Sequence, residues 1–118
     1  MNAEPTLETL RADLRRFAEE RDWDQFHSPK NLAMALIAEA GELVEHFRWL
    51  TEEQSAALPP DVRAEVEMEI ADVFIFLVRL CDRLGVDPLS AAAAKIALNE
   101  RRYPADASRG RAVKHDKL

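Results

Sequence analysis

The amino-acid sequence predicts an all-α protein, an antiparallel four-helix bundle, and three observations support this fold class. Apolar residues recur at the spacing of about 3.6 residues that is typical of amphipathic helices, in four separate segments. Prolines and good capping residues stand at the ends of these segments, and no segment shows the alternation of a strand. With 118 residues, the chain is long enough for one domain of packed helices and too short for two.

The first two predicted helices are separated by a short connector that is rich in aromatic residues. The first helix begins at Thr6, whose hydroxyl makes a good N-cap. The second begins after Ser28, with Pro29 at its first position. We place these two helices at residues 6–22 and at about residues 29–50.

The second half of the chain predicts one short and two longer helices. Thr51 and Gln54 form a capping box that opens a single helical turn. A long helix then begins near residue 60 and ends at Gly85, where a C-terminal cap belongs. The last helix begins at Pro88 and must stop before Pro104, because proline cannot continue a helix.

We divide the chain into one helical domain, residues 1–104, and a polar tail, residues 105–118, which we expect to be mobile. A domain of this size leaves about a third of the surface of its unfolded chain exposed. Its stability therefore depends on burying further apolar surface, and we expect a homo-oligomer.

The composition excludes several classes of partner. Against 16 Lys and Arg the chain has 22 Asp and Glu, and the formal net charge of −6 argues against binding to a nucleic-acid polymer. No apolar run approaches the roughly 20 residues that span a bilayer, and the N-terminus lacks the features of a secretory signal. The single cysteine, Cys81, cannot form an internal disulfide. We therefore expect a cytoplasmic protein without a membrane partner.

Four carboxylates form two pairs, each with the spacing of one helical turn. Glu39 lies near the centre of the apolar stripe of the second helix, and Glu42 lies at the edge of that stripe. In the long helix, Glu69 and Asp72 directly precede a run that is apolar on all sides and is therefore expected to be buried. If these two helices pack antiparallel, the two acidic pairs face one another.

Such a cluster favours a hard divalent cation. Two like charges about 5 Å apart repel by roughly 3 kcal/mol at an effective dielectric of about 20, so four ionised carboxylates need protons or cations. Oxygen ligands suit Mg²⁺, or Mn²⁺ in its place. The absence of Glu-x-x-His pairs and of clustered Cys and His argues against di-iron and zinc sites. The alternative, that these acids are two solvated helix faces, stays open on spacing alone.

A second polar group of interest lies on the last predicted helix. Lys95, Asn99 and Arg102 share one face there, and this cationic ridge with one amide suits a polyphosphate. An ordinary solvated face is the alternative interpretation. The chain has only three glycines, which excludes a P-loop, so phosphate binding must use side chains and a metal.

Three residues near the second helix are candidates for contact with a nucleobase. Trp23 and Trp49 flank that helix and offer flat apolar faces on which a base can stack. His27 lies beside the start of the same helix and offers a polar contact. Packing in the core or in an interface is the alternative for both tryptophans.

The combined pattern resembles the signature of a known family. Glu39-x-x-Glu42, 26 intervening residues and Glu69-x-x-Asp72 are similar to the motif of the MazG-like all-α nucleotide pyrophosphohydrolases. Residues 20–27, residues 41–43 with Trp49, and residues 95–104 resemble the dCTP pyrophosphatase branch of that family. The resemblance extends over about residues 5–104.

The resemblance implies a Mg²⁺-dependent enzyme that cleaves a nucleoside triphosphate, here dCTP or a modified dCTP, to the monophosphate and pyrophosphate in nucleotide-pool housecleaning. It also implies a dimer or a dimer of dimers, with the active site completed across subunits. The catalytic and metal-binding residues are then Glu39, Glu42, Glu69 and Asp72, the phosphate-binding residues include Lys95 and Asn99, and the base-binding residues are Trp23, His27 and Trp49.

Two positions depart from the animal members of that branch. Leu14 and Phe76 stand where those members have a histidine and a tyrosine, which leaves the preferred base open. The same chemistry on another noncanonical triphosphate is one alternative. A non-catalytic helical module that binds a nucleotide or a protein is the other.

Overall fold

The computed structural model describes residues 4–118 as helices, turns and loops, with no strand among them. Residues 1–3, the start of the predicted domain, lie outside the described residues. The all-α fold class is therefore confirmed. The α-helices are α1 (Leu7–Glu20), α2 (Pro29–Glu45), α3 (Glu52–Ser55), α4 (Pro60–Leu84), α5 (Pro88–Arg102) and α6 (Ala105–Ser108), with 3-10 helices at Asp24–Phe26 and His115–Lys117. None of the described helices combines the length and the apolarity needed to cross a membrane.

Side-chain caps fix the helix starts where the sequence predicted them. The Thr6 hydroxyl accepts a hydrogen bond from the backbone N–H of Thr9 at the start of α1. The Ser28 hydroxyl does the same for α2, with Pro29 as the first helical residue. Before α3, the predicted capping box of Thr51 with Gln54 is complete in both directions. Each cap satisfies a backbone donor that has no partner inside the helix.

Two helices end earlier than predicted: α1 ends at Glu20 and not at residue 22, and α2 ends at Glu45 and not near residue 50. The backbone N–H of His46 bonds to the carbonyl of Leu43 at 3.2 Å, and that of Phe47 bonds to Val44 at 2.9 Å. These bonds reach back three residues instead of four, so the chain tightens into turns and leaves the α-helix. No proline or glycine marks this change in the sequence.

The chain divides after Gly85 into two compact units. Gly85 has a φ of 70°, a left-handed conformation that costs other residues about 1 kcal/mol, and it caps the C-terminus of α4. In the first unit, α4 packs against both α1 and α2. Later residues of α2 meet earlier residues of α4, with His46 near Glu65 and Glu39 near Asp72, so these two helices are antiparallel.

The second unit, Val86–Leu118, contains α5, α6 and the final 3-10 helix. The ring of Tyr103, at the end of α5, packs edge-to-face on His115 with 5.8 Å between ring centroids. The guanidinium of Arg111 donates a hydrogen bond to the carbonyl of Lys117 at 3.2 Å. Residues 105–118 therefore contain helical turns and local contacts, while their expected mobility stays a prediction.

Candidate active site

Helices α2 and α4 bring three of the predicted carboxylates together. Glu39, Glu69 and Asp72 each offer one carboxylate oxygen, and these three oxygens lie within 4.8 Å of one another. We call these residues the carboxylate cluster. The antiparallel packing of α2 on α4 holds their backbones in place, as the two i, i+3 pairs predicted.

Among the described residues, no lysine or arginine forms an ion pair with the carboxylate cluster, and only His46 approaches it. Oε2 of Glu39 and Oε2 of Glu69 are buried and accept no hydrogen bond from the described residues. The pKa of Glu39 is raised, first by burial, then by a hydrogen bond with Glu42 and by the negative charges of Glu42, Asp72 and Glu69. Buried polar atoms almost always have a partner, so two buried carboxylate oxygens without one make this cluster a candidate ligand site.

A hard divalent cation fits this donor set. Mg²⁺ and Mn²⁺ prefer carboxylate oxygens, and the three grouped ligand atoms are all of this kind. Glu42, the fourth predicted ligand, lies beside Glu39 and is exposed. His46, for which the sequence indicated no function, borders the cluster with its Nε2 at 3.9 Å from Oε1 of Glu69.

A largely apolar cavity of about 360 Å³ adjoins the carboxylate cluster, because Asp72 belongs to the cluster and also lines the cavity. The ring of Trp23 packs edge-to-face on Phe17, with 5.6 Å between ring centroids, and more loosely on His27 at 6.3 Å. The lining residues are Leu14, Phe17, Trp23, His27, Asp72, Ile75, Phe76 and Arg79. Flat and branched apolar side chains thus form most of the walls.

The structure brings only some of the other predicted site residues together. Trp23 and His27 line the cavity, but Trp49 does not and is 80% exposed, with the Arg48 guanidinium 4.6 Å from the centre of its ring. The predicted phosphate-binding residues, Lys95, Asn99 and Arg102, lie on α5 in the second unit. Their role, and the base-binding role of Trp49, stay predictions.

Arg79 is a residue that the sequence analysis missed. Its side chain is 5% exposed, and its guanidinium pairs with Asp24 and, at 3.4 Å, with Asp82. Its Nε also donates a hydrogen bond to Nδ1 of His27 at 3.2 Å. The available signal was an arginine directly after the apolar run of α4, seven residues after Asp72 and therefore near the same face.

Arg15 extends this group of charges to α1. Its Nε donates to Oδ2 of Asp82 at 2.7 Å, and a second hydrogen bond makes the pair bidentate. The pKa of Asp82 is lowered by the hydrogen bond from Arg15 and by the positive charges of Arg15 and Arg79, which outweigh the effect of burial. We call Arg15, Asp24, Arg79 and Asp82 the arginine network.

Comparisons with known proteins show which family this chain resembles. The sequence pattern of the MazG-like family matches residues 34–118. The chain is 48% identical over 117 residues to dCTP pyrophosphatase 1 of Mus musculus and 44% identical to that of Homo sapiens, in both cases covering 98% of this chain and 69% of the relative. The crystal structure of a pyrophosphatase from Archaeoglobus fulgidus DSM 4304 matches with a TM-score of 0.80 and 38% identity, covering 88% of this chain and 97% of that one.

Proposed function

Because the chain belongs to the MazG-like family, we propose that it is a pyrophosphohydrolase that converts dCTP, or a modified dCTP, and water into dCMP and pyrophosphate. The observation that carries this proposal is that Asp72 belongs both to the carboxylate cluster and to the wall of the apolar cavity. One end of this site suits a cation with its phosphates, and the other suits a flat base. Such an activity removes its substrate from the triphosphate pool, which is nucleotide-pool housecleaning.

The carboxylate cluster, together with Glu42, holds Mg²⁺ in this proposal, with Mn²⁺ able to replace it. The orphaned oxygens of Glu39 and Glu69 support the assignment, since they have no other partner among the described residues. When bound, the cation supplies positive charge toward the phosphate oxygens and acidity toward water. Its ligands in the proposed site are Glu39, Glu42, Glu69 and Asp72. By holding the cation, these residues orient the triphosphate for cleavage between its α and β phosphates.

The apolar cavity takes the base. Its volume of about 360 Å³ lies in the range of small-molecule sites. Trp23 and Phe17 supply aromatic walls, and His27 supplies a polar contact. We retain Trp49 as a further base contact and the face of α5 with Lys95, Asn99 and Arg102 as the phosphate contact, because these side-chain types suit stacking and polyphosphate.

We also propose that the helices of residues 1–104 form an antiparallel four-helix bundle, with residues 105–118 as a tail, and that the chain assembles into a dimer or a dimer of dimers. Within the described residues, the fully buried apolar side chains are few and mostly small: Ala18, Leu32, Val66 and Val78. Larger apolar residues on α2 and α4 stay exposed, among them Ile37 at 72% and Phe74 at 45%. A second copy would cover such surface, and light scattering after size exclusion measures the assembly.

We propose that the protein acts in the cytoplasm. Cys81 is a free, half-buried thiol, and a reducing compartment suits it. The acidic composition, with a formal net charge of −6, favours a free nucleotide held through a cation over a nucleic-acid polymer.

Product analysis tests the proposed function. With dCTP and Mg²⁺, the purified chain should release dCMP and pyrophosphate in equal amounts, and EDTA should stop the reaction. Release of dCDP and orthophosphate would instead identify cleavage of a different bond. Nucleotide binding without turnover at saturating Mg²⁺ and Mn²⁺ would favour a non-catalytic module, and a panel of canonical and modified triphosphates decides the preferred base.

A further inference from the structure

Arg79 lines the apolar cavity, and its two ion pairs leave one of its nitrogen donors for a third contact. A buried guanidinium needs carboxylate partners, and Asp24 and Asp82 provide them from the 3-10 helix after α1 and from α4 itself. These two partners occupy the terminal nitrogens Nη1 and Nη2. The remaining donor, Nε, is therefore held in a fixed direction, and it faces His27 at 3.2 Å.

This contact determines the tautomer of His27. A guanidinium has only donors, so Nδ1 of His27 must accept and cannot itself carry a proton. The neutral ring then has its single N–H at Nε2. Burial and the positive charge of Arg79 also lower the pKa of His27, which favours the neutral ring over the doubly protonated one.

We propose that Arg79 is a positioning residue that holds His27 as a neutral Nε2–H donor on the wall of the apolar cavity, so that the cavity selects a base with a carbonyl or ring-nitrogen acceptor on the edge that meets His27. The proposal rests on the proposed function, because it takes the cavity as the base site. In such apolar surroundings a donor discriminates strongly, since a base without an acceptor leaves the N–H unpaired. The other ionisable groups in the lining are already engaged, Arg79 in its network and Asp72 in the carboxylate cluster.

Nuclear magnetic resonance of the ¹⁵N-labelled chain tests the tautomer without any substrate. In the wild type, Nδ1 of His27 should show the shift of an unprotonated nitrogen and Nε2 that of a protonated one. In Arg79→Met the ring should become a mixture of tautomers, whereas Arg83→Met should leave it unchanged. Arg83 is the matched control because it is an exposed arginine one turn further along α4 that acts on His27 through its charge alone, without a hydrogen bond. The spectrum of His27→Gln assigns the signal, and a protonated Nδ1 in the wild type would overturn the inference.

Kinetics with dCTP test the consequence for binding. Arg79→Met should raise KM by about tenfold, because the His27 ring loses its fixed orientation as well as part of its Nε2–H form. The value of kcat should change by less than about threefold, because the contact is made to the base and not to the reacting phosphate. Arg83→Met should change neither value. A roughly tenfold fall in kcat with an unchanged KM would contradict a positioning role at the base.

The His27 variants keep the inference testable if Arg79→Met does not fold. Glutamine retains an N–H donor, so His27→Gln should keep KM within about threefold, while His27→Leu should raise KM at least about tenfold. Equal KM values for these two variants would overturn the donor role. If the wild type does not hydrolyse dCTP at all, the proposed function fails, while the resonance experiment still decides whether Arg79 sets the tautomer.

Discussion

The carboxylate cluster and the arginine network lie on the same helix, but only the arginine network is electrically complete. It pairs two guanidinium groups with two carboxylates, and each of its members has a partner within the network. The carboxylate cluster gathers three acids, two of which have a buried oxygen with no partner among the described residues. Buried charge is stable only when it is neutralised, either from within the chain or by a ligand.

This difference separates a structural use of charge from a functional one. In the arginine network, neutralisation by the chain itself fixes the connector after α1 against α4, so its carboxylates need no cation, and the remaining donor of Arg79 contacts His27. In the carboxylate cluster, no lysine or arginine of the described residues neutralises the acids, so we expect these residues to respond to a cation. Loss of an acid should therefore be measured as stability in the arginine network and as activity in the carboxylate cluster.

Removing one acid of the carboxylate cluster should have the largest effect. We expect Glu39→Gln or Asp72→Asn to lower dCTP hydrolysis by at least about 100-fold, because the cation loses a ligand. The melting temperature without metal should stay the same or rise, because like-charge repulsion is relieved. Steady-state kinetics and circular dichroism measure the two quantities.

Glu67→Gln is the control for these variants. Glu67 lies on the same helix but is exposed and pairs with Arg63 at 3.3 Å, so its loss should leave activity unchanged. Full activity in Glu39→Gln and Asp72→Asn would disprove the site assignment.

The second largest effect should be the stabilisation of the folded chain by added Mg²⁺. At a free concentration of about 100 times Kd, binding to the folded state alone contributes about 2.7 kcal/mol. Thermal unfolding with MgCl₂, against KCl at the same ionic strength, measures the shift. The shift should be strongly reduced in Glu39→Gln, and an identical shift in that variant would place the cation elsewhere.

In the arginine network, Asp82→Asn should lower the free energy of unfolding by about 2 kcal/mol, because Arg15 loses its bidentate carboxylate partner and Arg79 keeps only Asp24. Urea unfolding at neutral pH measures this change. Asp13→Asn is the control, since Asp13 is 58% exposed and pairs with Arg16 on the surface. A loss as small as that of the control would mean that the network contributes little to stability.

The pH dependence of stability that comes from Asp82 should be the smallest of these effects. Because the pKa of Asp82 is lowered in the folded chain, its contribution is fully present above the ordinary aspartate pKa of about 3.9 and is lost as the pH falls through the lower, folded value. The wild type should therefore lose more stability than Asp82→Asn over this acidic range. Parallel pH dependence in the two proteins would contradict the assigned ion pair.

The sequence predicted well those features that depend on neighbours along the chain. Caps at Thr6, Ser28 and Thr51 need only a hydroxyl next to free backbone donors, and all three are present. The pairing of Glu39 with Glu69 and Asp72 followed from helical spacing together with one assumption, the antiparallel packing of two helices. The end of α2 was missed because the shift to three-residue hydrogen bonds after Glu45 has no residue type that marks it.

By itself, the sequence therefore determined the helices, their caps and the placing of four acids on two helix faces, since periodicity and capping are local properties. Tertiary structure decided the rest. Arg79 and His27 are 52 residues apart, and Arg15 and Asp82 are 67 apart, so only the packing of α1 and its connector against α4 makes them partners. The same packing closes the apolar cavity beside Asp72, because a cavity is formed by side chains that are distant in sequence.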